Sequence, residues 1–177
     1  MVMLRPLSWP DDREPLLALD TSFVTDRVYR LEQTDRSFTL TEVPAAPPVR
    51  KTYPFAHEVN SLSMFEWVQV ASSDGAVVGV AAMKIEGWNK RAVLHHLYVA
   101  PTGRGRGVGR AMVEAAMGEA RRRNARCLWA ETQTTNYGAI RFYERTGFAW
   151  CGLDKSLYDP GDTGTGEIAL FFSRPVE

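Results

Sequence analysis

The residues best suited to chemistry lie in two short stretches of the chain. In "VAPTGRGRGVGRAMVEAAM", residues 99–117, Gly103, Gly105, Gly107 and Gly109 alternate with Arg104, Arg106 and Arg110, directly ahead of an alanine-rich run. Glycines let main-chain N–H groups converge, and a helix starting at Val108 would add its unsatisfied donors and the positive end of its dipole. Such a turn suits a phosphate, and the arginines would add charge-assisted hydrogen bonds to it. The spelling does not fit a Walker loop, because Gly109 is followed by Arg110 and Ala111 instead of Lys and Ser or Thr. A dinucleotide fingerprint would open a parallel βαβ unit, whereas this turn follows strands that read as antiparallel. Glycines serving only as turn residues are the alternative. The second stretch, "NYGAIRFYERTGF", residues 136–148, reads as a short helix opened by Asn136 and closed by Gly147, with Tyr143 inside it.

The elements around these stretches are legible from pattern. Residues 2–7 read as a strand, and "SWPDDREPLLALD" as the start of a short helix with Ser8 or Asp11 as N-cap. Asp26 to Val43 alternates around a polar "QTDR" turn, the pattern of a hairpin. Residues 44–54, with Pro44, Pro47, Pro48 and Pro54, read as irregular chain, a wall or lid over a cleft. "WVQVASSDGAVVGVAAMKI" is two strands joined by an Asp-Gly turn, and "RAVLHHLYV" is the strand that delivers the glycine stretch. Met112, Ala115, Ala116 and Ala120 recur at helical spacing up to Arg121, Arg122, Arg123 and Asn124. "CLWAETQ" is a strand, and two more follow, roughly 148–158 and 167–173, around the loop "DPGDTGTG". The order predicts a mixed α/β fold with a largely antiparallel sheet.

Bulk properties fit one soluble domain spanning residues 1–177. Lys plus Arg and Asp plus Glu both total 21, so no net charge draws nucleic acid or an anionic membrane. The basic run at Arg121, Arg122, Arg123 and Arg126 ends a helix, where cations complement the dipole, so nucleic-acid binding is not expected. The opening "MVMLRPLSWPDD" has no signal-like apolar run and no window reaches the length of a membrane span, which points to the cytoplasm. Cys127 and Cys151 lack CxxC spacing and read as buried thiols, and with three histidines a metal site is not expected.

Taken together, "LYVAPTGRGRGVGRAMV" and "NYGAIRFYERTGF" resemble the GNAT family of N-acetyltransferases across roughly residues 60–158. The family's Arg/Gln-x-x-Gly-x-Gly/Ala signature stands here as Arg104, Gly107 and Gly109. Its second signature stands as Asn136, Ala139, Tyr143, Gly147 and Phe148. The resemblance implies the acyl-CoA N-acyltransferase fold: about six or seven mostly antiparallel strands, splayed at the centre, with about four helices. It implies acetyl-CoA as co-substrate, its pyrophosphate on the main chain of Gly105, Arg106, Gly107, Val108 and Gly109, flanked by Arg104 and Arg110. The pantetheine arm would lie like a strand beside Leu97, Tyr98 and Val99, with Asn136 bonding the arm and a main-chain N–H near Leu97 or Tyr98 polarising the acetyl carbonyl. Tyr143 would serve the leaving sulfur.

Acetyl transfer also needs a base for the amine. His95 and His96 are adjacent on a strand and are expected to face opposite sides, so one looks into the cleft. His95 stands where arylalkylamine acetyltransferases carry a histidine and streptothricin acetyltransferases a glutamate; a pKa of about 6.5 suits the task. Glu86 and a water relay are the other candidates. Glu131 to Asp159 looks most like the streptothricin acetyltransferases, which implies a cationic small-molecule amine as partner. Glu32, Asp35, Glu42, Glu86 and Asp154 are the carboxylates available to hold it. A protein or peptide amine, or a non-catalytic acyl-CoA-sensing module, are the alternatives, and the C-terminal strands and loop are a candidate homodimer surface.

Overall fold

A computed structural model describes residues 2–163 and 166–176, so Gly164 and Thr165 of the "DPGDTGTG" loop lie outside the described residues. The elements in chain order are β1 (Val2–Pro6), α1 (Arg13–Leu17), β2 (Phe23–Gln33), β3 (Phe38–Lys51), β4 (Trp67–Ser73), β5 (Ala76–Glu86) and β6 (Arg91–Val99). They continue with α2 (Val108–Arg122), β7 (Cys127–Gln133), α3 (Tyr137–Arg145), β8 (Ala149–Asp154), α4 (Pro160–Thr163) and β9 (Ala169–Pro175). Hydrogen bonding links seven strands in the order β1-β4-β5-β6-β7-β9-β8, while β2 and β3 pair separately. The chain groups into two compact units: residues 1–22, 52–130 and 174–177 in one, residues 23–51 and 131–173 in the other.

In the first unit, β1, β4, β5 and β6 are antiparallel neighbours, and β7 joins β6 in parallel. Asp74 and Gly75, both at positive φ, make the tight turn between β4 and β5 that the Asp-Gly pair predicts. One face of the sheet carries a core of Leu16, Phe55, Val59, Leu62, Val68, Val70, Val80 and Ala82. Two 3-10 segments, Phe55–His57 and Val59–Met64, supply much of it; the periodicity predicts neither. The other face is covered by α2, whose Val108, Met112, Val113, Ala116 and Ala120 are buried. That helix lies close because β5 offers Gly79: a Cβ there would stand 2.8 Å from the Tyr98 carbonyl oxygen and 3.0 Å from Met112 Cε.

The N-cap position of α1 is Asp12, not Ser8 or Asp11, and its side chain makes no cap bond. The Asp12 carboxylate is 2% exposed and accepts from both Arg5 Nη atoms and from the Ser8 N–H at 2.7 Å, so it ties β1 to the helix instead of capping it. The basic run at the end of α2 is engaged within the unit: Arg122 and Arg123 pair with buried Glu119, Arg123 also reaches Glu66, and Arg126 donates to the Asn89 carbonyl.

In the second unit, β2 and β3 form the expected hairpin, but the proline-rich segment is strand over 44–51, and only 52–54 is irregular chain. β3 runs on to Lys51, and Val49, Arg50 and Lys51 pair with β2 again. Between the Arg27–Pro44 and Thr25–Val49 pairs the register jumps, so residues 45–48, with Pro47 and Pro48, fall in the interruption. Proline survives there because it has no ladder bond to lose. Cys151 also departs from expectation. It is exposed on β8, the last strand in the sheet order, beside a register shift at Trp150 and Gly152, whereas Cys127 is buried.

Candidate active site

The glycine turn has the conformation its spelling requires. Gly105 (φ 73°) and Gly107 (φ 81°) both occupy the left-handed region, and a Cβ at either would meet nothing within 4 Å. Glycine is therefore needed for its backbone angles, not for want of space inside the chain. Gly107 is also the N-cap of α2, with no side chain to satisfy the helix's first donors, and the first bond within the helix runs from the Ala111 N–H to the Gly107 carbonyl at 2.9 Å. The donors of Val108 and Gly109 thus open the positive end of a 15-residue helix. Arg106 and Arg110 are exposed beside them. Arg104 is differently engaged: its Nε donates to the Val99 carbonyl at 2.9 Å and its Nη2 to the Ser22 carbonyl at 2.6 Å. It clamps the turn to the end of β6.

The strand that delivers this turn loses a neighbour midway. Pairing of β6 with β7 covers Arg91 to Leu94 only, although β6 continues to Val99, which is the splay expected at the centre of the sheet. On the other edge, β6 stays paired with β5 as far as Val99. The Ala100 N–H donates to the Val78 carbonyl at 2.9 Å, and in an antiparallel ladder every second residue makes such bonds, so Tyr98 and His96 also turn their main-chain groups toward β5. Leu97 and Val99 turn theirs toward the edge that β7 leaves uncovered. Of the three residues expected to line a pantetheine arm, Leu97 and Val99 turn main-chain groups to that open edge, and Tyr98 does not. The Tyr98 ring instead packs with Phe55, Tyr53 and His96.

His95 and His96 do not face opposite sides. Ala82 pairs with His96 and Met83 with Leu94, so His95 is the extra residue of a β-bulge. Both imidazoles meet the edge of Phe65, at 5.3 and 5.1 Å between centroids, and Lys84 lies over the same ring at 4.6 Å. His95 remains exposed; partial desolvation lowers its pKa, Lys84 lowers it further, and Glu86 opposes them. His96 is buried, and desolvation, with His95 and Lys84 adding to it, brings its pKa down to about 4. Its Nε2 lies 3.2 Å from Glu58 Oε2, and its Nδ1 is buried without a partner. Glu58 was not a candidate from sequence, since a lone carboxylate in a stretch without periodicity carries no signal.

In the second unit, Asn136 is the N-cap of α3, its Oδ1 accepting from the Ala139 N–H at 3.1 Å. Tyr143 is buried, stacked on Phe172 with Phe142 and Phe148 around it. Of the carboxylates proposed for an amine in this unit, Glu32 and Asp35 are exposed; Glu42 is ion-paired with Arg27, which lowers its pKa; and Asp154 caps the turn at Ser156. Sequence reasoning singled out no role for Glu131. It is partly buried, desolvation raises its pKa, and the Tyr158 hydroxyl donates to it.

An uncapped helix end behind a positive-φ glycine turn, beside a strand edge that opens midway, is an arrangement for a phosphate with an extended arm. The model of the acetyltransferase (GNAT) family matches residues 25–148. The chain belongs to the GNAT acetyltransferase family. As a GNAT protein it is an acyltransferase, with a mixed α/β fold whose sheet is mostly antiparallel. It is similar to the streptothricin acetyltransferase of Streptomyces lavendulae, 39% identical over 94% of this chain and 91% of that one. A crystal structure of nourseothricin acetyltransferase superposes with a TM-score of 0.89 at 41% identity over 99% of both chains. A Bacillus anthracis str. Ames protein solved in complex with acetyl coenzyme A has a TM-score of 0.83 at 22% identity over 99% of both chains, and so shares the fold.

Proposed function

We propose that this GNAT protein transfers the acetyl group of acetyl-CoA to a primary amine of a small cationic molecule of the streptothricin class, by direct attack in a ternary complex. The observation that carries the reading is the Gly105–Gly107 turn at the uncapped start of α2, beside the uncovered edge of Leu97 and Val99. The pyrophosphate takes the donors of Val108 and Gly109 with Arg106 and Arg110 beside it, and Arg104 holds the turn in shape. The acyl arm lies along Leu97 and Val99, where the Leu97 main-chain groups and the Val99 N–H are oriented to pair with it, the Val99 carbonyl being held by Arg104. The Leu97 N–H polarises the acetyl carbonyl, Asn136 contributes its amide to the arm, and the Tyr143 hydroxyl protonates the departing thiolate.

The relatives from Streptomyces lavendulae and the nourseothricin enzyme support the substrate class, because the similarity runs over nearly the whole chain rather than the two signatures alone. The test is thiol release from acetyl-CoA against a panel of streptothricin, aminoglycosides, polyamines and peptide N-termini, with Tyr143→Phe alongside. Streptothricin is expected to be turned over, and the variant, which keeps the ring stack on Phe172, to lose about 10²-fold in kcat. Turnover of peptide N-termini instead would make the protein a peptide acetyltransferase, and tight binding of acetyl-CoA with no acceptor would make it a sensing module.

A further inference from the structure

We propose that Glu58, oriented by the Nε2–H of His96, is the group that takes the proton from the acceptor's ammonium, an inference that rests on the acetyltransferase reading above.

The face of the sheet on which the two histidines lie follows from register. Gly79 turns its Cβ direction toward α2, so its partner Val99, and Leu97 two residues before it, point to the α2 face. His96 and Tyr98 point the other way, onto the face of Phe55, Val59 and Leu62. The bulge at His95 breaks the alternation and swings that residue round to the same ring, Phe65. The ionisable groups next to the open edge of β6 therefore gather on the face opposite α2: Lys84 and Glu86 from β5, His95 and His96 from β6, and His57 and Glu58 from the 3-10 segments, with Tyr53 and Tyr98 beside them.

Within that group the roles separate by access. The His96 side chain is 8% exposed, and its Nδ1 is out of reach of an amine from solvent. The Glu58 side chain is 43% exposed, so an ammonium can meet its carboxylate directly. His96 is neutral at physiological pH because of its burial, and a neutral imidazole carries one N–H. Glu58 Oε2 stands 3.2 Å from Nε2, so a proton placed on Nε2 faces the carboxylate and Nδ1 is left as a bare acceptor. Nδ1 is buried without a protein partner, so the imidazole has its one protein polar contact at Nε2. Desolvation holds the Glu58 carboxyl above the ordinary glutamate range, with His57 opposing, which makes its anion a better proton acceptor.

The protons and electrons balance as follows. A Glu58 oxygen takes one proton from the ammonium, and the freed nitrogen lone pair forms the C–N bond at the thioester carbonyl carbon. Collapse of the tetrahedral species restores the C=O and breaks the C–S bond, the sulfur leaving with the electron pair. The second nitrogen proton is matched by the one the sulfur receives, giving amide and CoA thiol, and the proton on Glu58 passes to solvent. His96 touches neither reactant and is a positioning residue.

The experiment is the pH profile of kcat/KM for the amine at saturating acetyl-CoA in wild type, Glu58→Gln, His96→Gln, His96→Leu and His95→Gln. Glu58→Gln is expected to lose about 10²-fold or more together with the acid limb. His96→Gln, whose amide nitrogen reaches where Nε2 sits, should keep the limb, and His96→Leu should displace it and lower kcat without changing the acetyl-CoA KM. Wild-type kcat/KM in Glu58→Gln at every pH, or an acid limb removed by His95→Gln alone, would overturn the proposal. If wild type acetylates no amine, the functional reading has failed separately, and 15N NMR of His96 decides the pair. An Nε2–H tautomer lost in Glu58→Gln supports it; an Nδ1–H tautomer or an ordinary imidazolium titration refutes it.

Discussion

Replacing Gly107 by alanine separates what the glycine turn owes to backbone geometry from what it owes to space. Gly107 sits at φ 81°, and a Cβ there meets nothing within 4 Å, so no clash contributes. An L-residue in the left-handed region costs roughly 1–2 kcal/mol, and the stiffer unfolded chain returns about 0.4–1 kcal/mol of it. At mid-range values the net loss is roughly 0.8 kcal/mol. Gly118 is the internal control: it lies inside α2, also with nothing within 4 Å, at ordinary helical angles, and alanine there should gain about 0.5–1 kcal/mol. The same methyl group thus has opposite signs at two positions 11 residues apart in number (118 − 107). At about 2–4 °C per kcal/mol for a chain of this size, the two variants should melt roughly 2–8 °C apart, Gly118→Ala above wild type and Gly107→Ala below it. Differential scanning calorimetry without ligand reads this. Acetyl-CoA KM should rise in Gly107→Ala alone, because a strained cap presents the Val108 and Gly109 donors less well, while the amine KM stays put. If Gly107→Ala melted with or above wild type, the left-handed cap would not be the reason glycine stands there.

Two further substitutions test the supports of the site. Asp12→Asn should cost about 2–3 kcal/mol, less than the roughly 3–5 of a fully buried pair, because Arg5 is partly exposed and can rehydrate. Arg5 lowers the folded pKa of Asp12, so its contribution is complete above the unfolded carboxylate value of about 3.9 and fades as pH falls through the folded value; urea unfolding of the variant should show a flatter acid limb. Arg104→Lys removes the fork that holds the Val99 and Ser22 carbonyls, and should lose about 1–2 kcal/mol of stability and raise the acetyl-CoA KM without touching the amine KM. An unchanged KM there would mean that the clamp does not shape the turn.

The parts of this protein legible from sequence are those whose cause is local. Asp74-Gly75 turns where a hairpin needs positive φ, Gly105 and Gly107 turn where a helix must open on bare donors, and Asn136 and Gly147 bound a helix by capping and by left-handed geometry. The illegible parts are set by partners far along the chain. The bulge that brings His95 and His96 to one face exists only in the register of β6 against Ala82 and Met83, which no reading of "HHLYV" contains. The strand through Pro44, Pro47 and Pro48 depends on β2 resuming at Val49 after the interruption. Glu58 gains its place from His96, 38 positions away (96 − 58), and Arg104 spends two of its nitrogens on carbonyls rather than keeping them all for a phosphate. Cys151 was expected buried because its neighbours look like a strand, and they are one, but at the end of the strand order.

The most direct measurement is mass spectrometry of streptothricin incubated with the protein and acetyl-CoA, with the modified nitrogen located by fragmentation. One acetyl group on a primary amine, dependent on acetyl-CoA and nearly absent with Tyr143→Phe, is the expected result. Streptothricin recovered unmodified, while the same preparation acetylates a different class of amine or only binds acetyl-CoA, would contradict the assignment of this chain to a cationic antibiotic acceptor.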